Sequence, residues 1–255
     1  MKRTIDLNAD LGEGAGSESE LLALVSSANI ACGFHAGDPG TMSASILAAK
    51  KAGVAVGAHP SLPDRENFGR RELPVTPDEV FALVVYQVGA FQAMAKSLGV
   101  RPNHVKPHGA LYNMAACDPA LAEAVTRAIL ALDRTLFLFA PGESALARAA
   151  AELELQVARE VFADRNYLPD GALVPRTRPD ALLHDAEEAA ARVLRMLREH
   201  VVRAIDGSDI PVQADTVCVH GDTPEAVAFA MNLRAKLKAA GVSVAAPAAG
   251  ENELA

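Results

Sequence analysis

Segment 105–112, with the sequence VKPHGALY, carries a lysine and a histidine two residues apart. Pro107 between them lacks a backbone N–H and disfavours a helix, so we predict an extended segment in which Lys106 and His108 point to one face. An ammonium group and an imidazole at one place can stabilise negative charge and transfer protons. Lys106 and His108 are therefore our first candidate catalytic residues.

Further polar or small residues recur two apart near the ends of short apolar runs. The pairs are Asn8 and Asp10, Gly33 and His35, Gly57 and His59, and His220 and Asp222. Any one of these polar residues has an ordinary structural explanation, such as a helix cap or a core group bonded to backbone. Because all of them lie at strand ends, we predict one site that joins Asp10, His35, His59, Lys106, His108, Asp164, Arg165, His220 and Asp222.

Short apolar runs rich in β-branched residues alternate with helical patterns along the whole chain. Signals such as Thr76-Pro77 open helices, and glycine closes them before a strand, as at Ala52-Gly53-Val54. We predict strands near residues 4–7, 29–32, 54–57, 104–106, 135–139, 156–162, 216–219 and 242–245. An amphipathic pattern also predicts one long helix over residues 180–204.

The predicted connections are asymmetric. Helices lead into strands through tight glycine junctions, whereas long loops, 60–75 and 164–179, follow strands. Long loops on one side of a parallel βα array build sites at the carboxyl ends of the strands, where the polar pairs fall. We therefore predict that residues 1–255 form a single α/β domain, a (β/α) TIM-like barrel of seven or eight parallel strands, with a doubly wound parallel sheet as the alternative.

Composition argues against several classes of function. The 255-residue chain has a net charge of −8, which disfavours nucleic acid or an anionic membrane as its main partner. No apolar segment follows the N-terminal Met1-Lys2-Arg3, and no apolar run approaches the roughly 20 residues that span a bilayer. Three scattered cysteines suit reduced thiols better than disulfides, so we expect a cytoplasmic protein with no membrane segment.

Carboxylate and imidazole groups bind zinc and similar ions, and Asp10, His35 and His59 could hold one from three strands. No local metal motif is present, so a site without metal is our first expectation and this divalent-metal site is the alternative. His104 and His108 do not form a ligand pair, since four residues of strand span about 13 Å.

Arginines gather in the two long loops, namely Arg65, Arg70, Arg71, Arg165, Arg176 and Arg178. In an acidic protein they favour an anionic ligand, carboxylate or phosphate, with pairing to neighbouring acidic residues as the alternative. The sequence has no phosphate-loop, dinucleotide-loop or nucleophilic-serine motif.

Seven segments, in this order, resemble the LamB/YcsF family. They are DLNADLGEG at 6–14, NIACGFHAGD at 29–38, GAHP at 57–60, FGRR at 68–71, KPHGALY at 106–112, EVFADR at 160–165 and VHGDTP at 219–224. The resemblance extends over nearly the whole chain. It implies a (β/α) barrel akin to the glycoside hydrolase/deacetylase superfamily.

The resemblance also implies an activity: ATP-dependent hydrolytic opening of 5-oxo-L-proline to L-glutamate, by an A subunit that works with subunits B and C. ATP, with Mg, would then be a co-substrate, bound either through loop arginines and backbone N–H groups here or by a partner subunit. An unstrained lactam is a poor electrophile, so phosphorylation of its oxygen would have to precede attack by water.

On this basis we assign roles as hypotheses. The candidate bases are Asp10, His35, His59 and His220. His108 would return a proton to the ring nitrogen, and Lys106 with Arg165 would stabilise developing negative charge. The predicted substrate-binding residues are Asn8, Glu13, Arg65, Glu160, Asp164, Arg165 and Asp222.

Two other functions are compatible with the sequence. One is a stand-alone metal-dependent amide or acetyl hydrolase, in which an Asp-His-His centre activates water. The other is a non-catalytic subunit that binds an anionic metabolite.

Overall fold

The computed structural model describes residues 4–219 and 226–248. Its strands are β1 (Thr4–Leu11), β2 (Ser27–Ala31), β3 (Ala55–His59), β4 (His104–Val105), β5 (Phe137–Ala140), β6 (Val157–Phe162), β7 (Val201–Arg203), β8 (Asp209–Pro211), β9 (Thr216–Cys218) and β10 (Ser243–Val244). Its helices are α1 (Glu18–Leu22), α2 (Pro39–Ala52), α3 (Pro77–Ser97), α4 (Gly109–Cys117), α5 (Pro119–Leu132), α6 (Ala145–Glu152), α7 (Ala186–Glu199) and α8 (Ala226–Ala239), with a 3-10 turn at Arg65–Asn67.

Seven parallel strands close into a barrel in the order β1, β2, β3, β4, β5, β6, β9 and back to β1. The closing pair aligns Asp6 with Thr216 and Asn8 with Cys218. The eighth parallel strand, β10, pairs only with the first two residues of β1. The predicted TIM-like barrel is confirmed, and the doubly wound sheet is wrong because β9 pairs with both β6 and β1, which closes the sheet on itself.

The first strand shows how the sequence builds two environments. Successive side chains of a strand point to opposite faces. In β1 the odd-numbered residues, Ile5, Leu7, Ala9 and Leu11, join the aliphatic core between the sheet and the helices. The even-numbered residues, Asp6, Asn8 and Asp10, are also buried, but they point into the barrel and hydrogen bond across it. The barrel interior is therefore lined by polar side chains along β1.

Helix caps follow the sequence signals. Thr76 and Glu79 form a capping box at the start of α3, and Asp118 accepts from the backbone at the start of α5. Gly53 ends α2 with φ of 70°, a left-handed conformation that favours glycine. Within the described residues, α3 is the one helix with the length and hydropathy to cross a membrane. It packs one stripe of side chains against α5 and β3.

The predicted helix over residues 180–204 is wrong at both ends. Asp185 caps α7, accepting from the backbone N–H groups of Glu187 and Glu188, so the helix begins after residues 166–185 have formed a separate loop. At the other end His200 is left-handed, with φ of 57°, and the chain turns into an antiparallel hairpin of β7 and β8. Val201 therefore lies in a strand, although its spacing continues the helical stripe.

Candidate active site at the barrel mouth

The carboxyl ends of the barrel strands place a buried ammonium group at the centre of a polar cluster. Nζ of Lys106 lies 3.0 Å from Glu160, 3.1 Å from Asp10, 3.2 Å from Asn8 and 3.1 Å from Sγ of Cys218. Burial alone would lower the pKa of Lys106, but the negative charge beside it, that of Asp10 first, holds that pKa well above its usual value. Lys106 is thus a cation at neutral pH.

Glu13 and three histidines form a second cluster next to this cation. Oε1 of Glu13 lies 2.9 Å from Nε2 of His35, 3.7 Å from Nδ1 of His108 and 4.0 Å from Nε2 of His59. The rings of His35 and His108 are stacked with centroids 3.8 Å apart. One ligand-type atom from each residue falls within 4.8 Å of the others, so the four side chains could hold a metal ion.

Backbone carbonyls fix the tautomers of two of these histidines. Nδ1–H of His59 donates to the carbonyl oxygen of Lys106 at 2.6 Å, and Nε2–H of His108 donates to that of Phe68 at 2.8 Å. A carbonyl only accepts, so in the neutral form of each ring Nε2 of His59 and Nδ1 of His108 would carry a lone pair. These two atoms are 2.9 Å apart. Two lone pairs repel at that distance, and a proton or a metal cation would relieve the repulsion.

Burial keeps His35 and His108 neutral. It lowers the pKa of His35 to about 2 and that of His108 well below the usual value, with the positive charge that His59 has when protonated as the next cause in both. Lowered pKa values leave the imidazole lone pairs available at neutral pH. Such groups suit proton transfer or metal binding rather than a fixed ion pair.

A supporting layer lies below Asp10. Nδ2 of Asn29 donates to Oδ1 of both Asp10 and Asn8, at 2.8 and 2.7 Å. Nε2 of His104 in turn donates to Oδ1 of Asn29 at 2.7 Å. A Cβ at Gly57 would come within 2.2 Å of the His104 ring, so only glycine leaves room for it. This layer fixes the orientation of Asp10, as carboxylate supports do in other polar sites.

Comparison with known proteins places this geometry in a family. A family model of LamB/YcsF matches residues 5–252. This chain belongs to the LamB/YcsF family. It is 54% identical over 251 residues to the A subunit of 5-oxoprolinase from Methylococcus capsulatus, with 96% of each chain covered. The crystal structure of a lactam utilization protein from Thermus thermophilus matches with a TM-score of 0.89 and 45% identity, over 96% of this chain and 100% of that chain.

More distant structures share only the fold of this LamB/YcsF chain. The catalytic domain of a peptidoglycan N-acetylglucosamine deacetylase from Eubacterium rectale gives a TM-score of 0.52 at 11% identity, over 97% of this chain and 90% of that chain. A GH113 β-1,4-mannanase gives 0.51 at 12% identity, over 93% and 99%. The predicted likeness to glycoside hydrolases and deacetylases is thereby confirmed for the architecture.

The structure brings most of the predicted site residues of this LamB/YcsF chain into contact. The connected set is Asn8, Asp10, Glu13, His35, His59, Lys106, His108 and Glu160. Asp164 and Arg165 are buried just beyond the carboxyl end of β6. His220 and Asp222 lie outside the described residues.

Two predicted groups of residues lie in different surroundings from those expected. Among the described residues, the group that could hold a metal is not Asp10, His35 and His59: Glu13 and His108 join the two histidines, and Asp10 is not a member. The guanidinium of Arg65 is occupied by backbone, since it donates to the carbonyl oxygens of Gly33 and Gly37 at 3.0 and 2.6 Å. Arg65 therefore braces the loop after β2.

Sequence reasoning missed three residues that contact the site. Asn29 supports Asp10, Cys218 accepts from Lys106, and the hydroxyl of Tyr112 donates to Oε2 of Glu160 at 2.8 Å. A signal existed for Asn29, because an amide inside an apolar strand needs buried partners. Cys218 and Tyr112 carry no comparable local signal.

Proposed function

We propose that this chain is a single barrel domain that serves as the A subunit of a cytoplasmic 5-oxoprolinase. With subunits B and C and ATP, it would hydrolyse 5-oxo-L-proline to L-glutamate. The observation that carries the proposal is the buried cluster of one cation, carboxylates and neutral imidazoles at the mouth of the barrel. The 54% identity to a protein named as the A subunit of 5-oxoprolinase supports the choice of substrate.

His59 is the base in this proposal. A proton added to its Nε2 would form an ion pair with Oδ1 of Asp10, 3.4 Å away, and a hydrogen bond to Nδ1 of His108, 2.9 Å away. One proton would thus replace a repulsive contact with two favourable ones, so its uptake from an attacking water is favoured. His108, bonded to His59, is placed to pass the proton on to the departing ring nitrogen.

Lys106 acts through its neighbours rather than as a direct ligand. Its three N–H groups already face four acceptors and its side chain is 4% exposed, so binding a substrate oxygen would break an existing contact. We propose that Lys106 holds Asp10 and Glu160 in place inside the barrel, so that the carboxylate of Asp10 lies beside Nε2 of His59 and stabilises the proton that His59 takes up. This role differs from the oxyanion ligand expected from sequence.

ATP with Mg activates the lactam in this proposal. Transfer of the γ-phosphoryl group to the lactam oxygen would convert the ring carbon into an electrophile. Attack by water at that carbon, with the ring nitrogen leaving as it takes up a proton, would open the ring and give an acyl phosphate. A second water would then release phosphate and L-glutamate. The chain has no phosphate-loop motif. We therefore assign this step to the assembled three-subunit enzyme.

A metal-dependent amide hydrolase is the second candidate, favoured by the tautomers of His59 and His108. Metal-bound histidines commonly donate their other N–H to a backbone carbonyl, as both rings do here. Glu13 and these two histidines fit a divalent ion. His35 fits less well, since its Nδ1 is buried without a partner among the described residues. A bound ion would lower the pKa of a water nucleophile.

An omission experiment tests the first candidate. The purified chain, subunits B and C, ATP with Mg and 5-oxoproline are combined, each is left out in turn, and glutamate and phosphate are measured. Glutamate should form only in the complete mixture. His59→Gln should lower its rate by about 100-fold or more, and His184→Gln, an exposed histidine, should not. Binding of 5-oxoproline without turnover in the complete mixture would instead favour a non-catalytic subunit.

Elemental analysis separates the second candidate. The chain is purified alone and its zinc, manganese, iron and nickel contents are measured, for the wild type and for His59→Gln. About one equivalent of ion that the variant loses, together with amide hydrolysis by the chain without ATP, would replace the ATP-dependent mechanism by the metal-dependent one.

A further inference from the structure

A small buried apolar cluster lies beside the charged centre, separate from the main core. Tyr112, Phe162 and Cys218 form this second cluster, and Leu173 packs against it. Phe162 and Cys218 are the last residues of β6 and β9, and Nζ of Lys106 lies 5.7 Å from the centroid of the Phe162 ring. The mouth of the barrel thus offers both charge and hydrocarbon contact within one small region.

Arg165 follows Phe162 by three residues and is a buried cation with an unused donor. Its guanidinium donates through Nη2 to the carbonyl oxygen of Val174 at 2.6 Å, and the residue is only 7% exposed. Its Nε is buried and has no hydrogen-bond partner among the described residues. A buried donor without an acceptor is costly, and a charged one more so.

The charges around Arg165 favour an anion of low charge. Burial, and next the positive charge of Arg176, lowers the pKa of Arg165 to about 10, whereas Asp164 opposes this effect. Arg165, Arg176 and Asp164 together carry a net charge of +1. Tyr167 and Cys218, which also face Arg165, have pKa values raised mainly by burial, so both are neutral at pH 7. A single carboxylate would balance the charge.

We infer that Arg165 binds the carboxylate of the substrate through Nε–H, while the surface of Tyr112, Phe162 and Leu173 contacts the methylene groups of its ring. This inference rests on the proposed lactam-opening function and names its substrate class: cyclic amides that carry a carboxylate beside the ring nitrogen. Plain lactams have the same ring but leave Nε–H of Arg165 buried without an acceptor. A site built around a hydrogen bond rejects the analogue that lacks the partner.

The test compares two substrates that differ only in the carboxylate, 5-oxo-L-proline and 2-pyrrolidinone, in the assembled enzyme with subunits B and C and ATP. Arg165→Met should lower kcat/KM for 5-oxoproline about 100-fold, leave the value for 2-pyrrolidinone within about threefold, and leave the KM for ATP unchanged. Arg178→Met, an exposed arginine of the same loop that pairs with Asp180, is the matched control and should change none of these.

Calorimetric Kd values for both lactams make the same comparison when turnover of 2-pyrrolidinone is too slow to measure, and Arg165→Lys serves if Arg165→Met does not fold. Lysine keeps the charge but lacks Nε–H in the guanidinium geometry, so it should recover only part of the selectivity. Equal losses for both lactams, or a raised KM for ATP, would overturn the inference. A wild-type enzyme that opens neither lactam would instead overturn the proposed function.

Discussion

Replacing Lys106 by methionine is the sharpest test of the electrostatics at the barrel mouth. Methionine has a similar length but no charge, so the change removes the ammonium group from between Asp10 and Glu160, which it contacts at 3.1 and 3.0 Å. All three residues are at least nine-tenths buried. The variant would hold two buried carboxylates with no cation between them.

The expected cost follows from that geometry. Removing one partner of a buried ion pair costs about 3–5 kcal/mol, because the other charge stays buried without compensation. For a chain of this size each kcal/mol corresponds to roughly 2–4 °C in Tm, so a loss of roughly 6–20 °C is expected. Glutamate formation in the proposed three-subunit assembly should fall about 100-fold or more, since Asp10 would lose the contact that holds it beside His59.

Thermal unfolding and glutamate formation are measured for Lys106→Met, with Lys51→Met as control, because Lys51 is exposed on α2. A second variant, Lys106→Met with Glu160→Gln, should recover part of the lost stability by removing one uncompensated charge, but not the activity. An unchanged Tm in the single variant, or no recovery in the double variant, would refute the assignment of Lys106 as the counter-charge.

Three further predictions concern positions outside that contact. Burial raises the pKa of Asp6 from 3.8 to about 6, so the native protein binds this proton more tightly than the unfolded protein and Asp6 lowers stability as pH rises from about 4 to 6. The free energy of unfolding of Asp6→Asn in urea, relative to wild type, should therefore increase by up to about 3 kcal/mol between pH 4 and pH 7. A Cβ at Gly69, where φ is 66°, would lie 2.8 Å from His35 Cβ, so Gly69→Ala should lower both Tm and activity. Gly89→Ala on α3 should not, because its Cβ would make only an ordinary contact with Leu132 at 3.9 Å. His200→Gly should raise Tm by 1–4 °C, roughly, because glycine adopts the left-handed end of α7 without strain.

The architecture and much of the site followed from local patterns. Lys106 and His108 could be placed on one face because Pro107 requires an extended chain, and polar residues at strand ends meet because parallel strands open toward one rim. The hairpin after α7 could not be predicted, since helical spacing continues through Val201 and the left-handed residue that ends the helix is a histidine rather than glycine. The backbone conformation of His200 ends the helix, and the residue spacing does not reveal it.

The sequence also did not show which carboxylate joins the histidine cluster. Asp10 precedes Glu13 by three residues, and both are carboxylates in the same motif. Which of them faces His35 depends on the turn after β1, where Glu18 accepts from the backbone N–H groups of Gly12 and Glu13 at 2.9 and 3.2 Å. With the turn held in this way, Glu13 contacts His35 and Asp10 contacts Lys106.

The polar interior of the barrel explains why these positions are held so firmly. Barrels of this kind usually fill their interior with layers of branched aliphatic side chains. Here Asp6 accepts from Thr216, whose hydroxyl oxygen accepts from Asn8, and Asn8 in turn accepts from Lys106. Burying this series of hydrogen-bonded polar groups costs free energy, as the raised pKa of Asp6 indicates. Because each of these hydrogen bonds is directional, together they restrict the position of Nζ of Lys106 more than aliphatic packing would. Lys106 in turn positions Asp10, which lies beside Nε2 of His59.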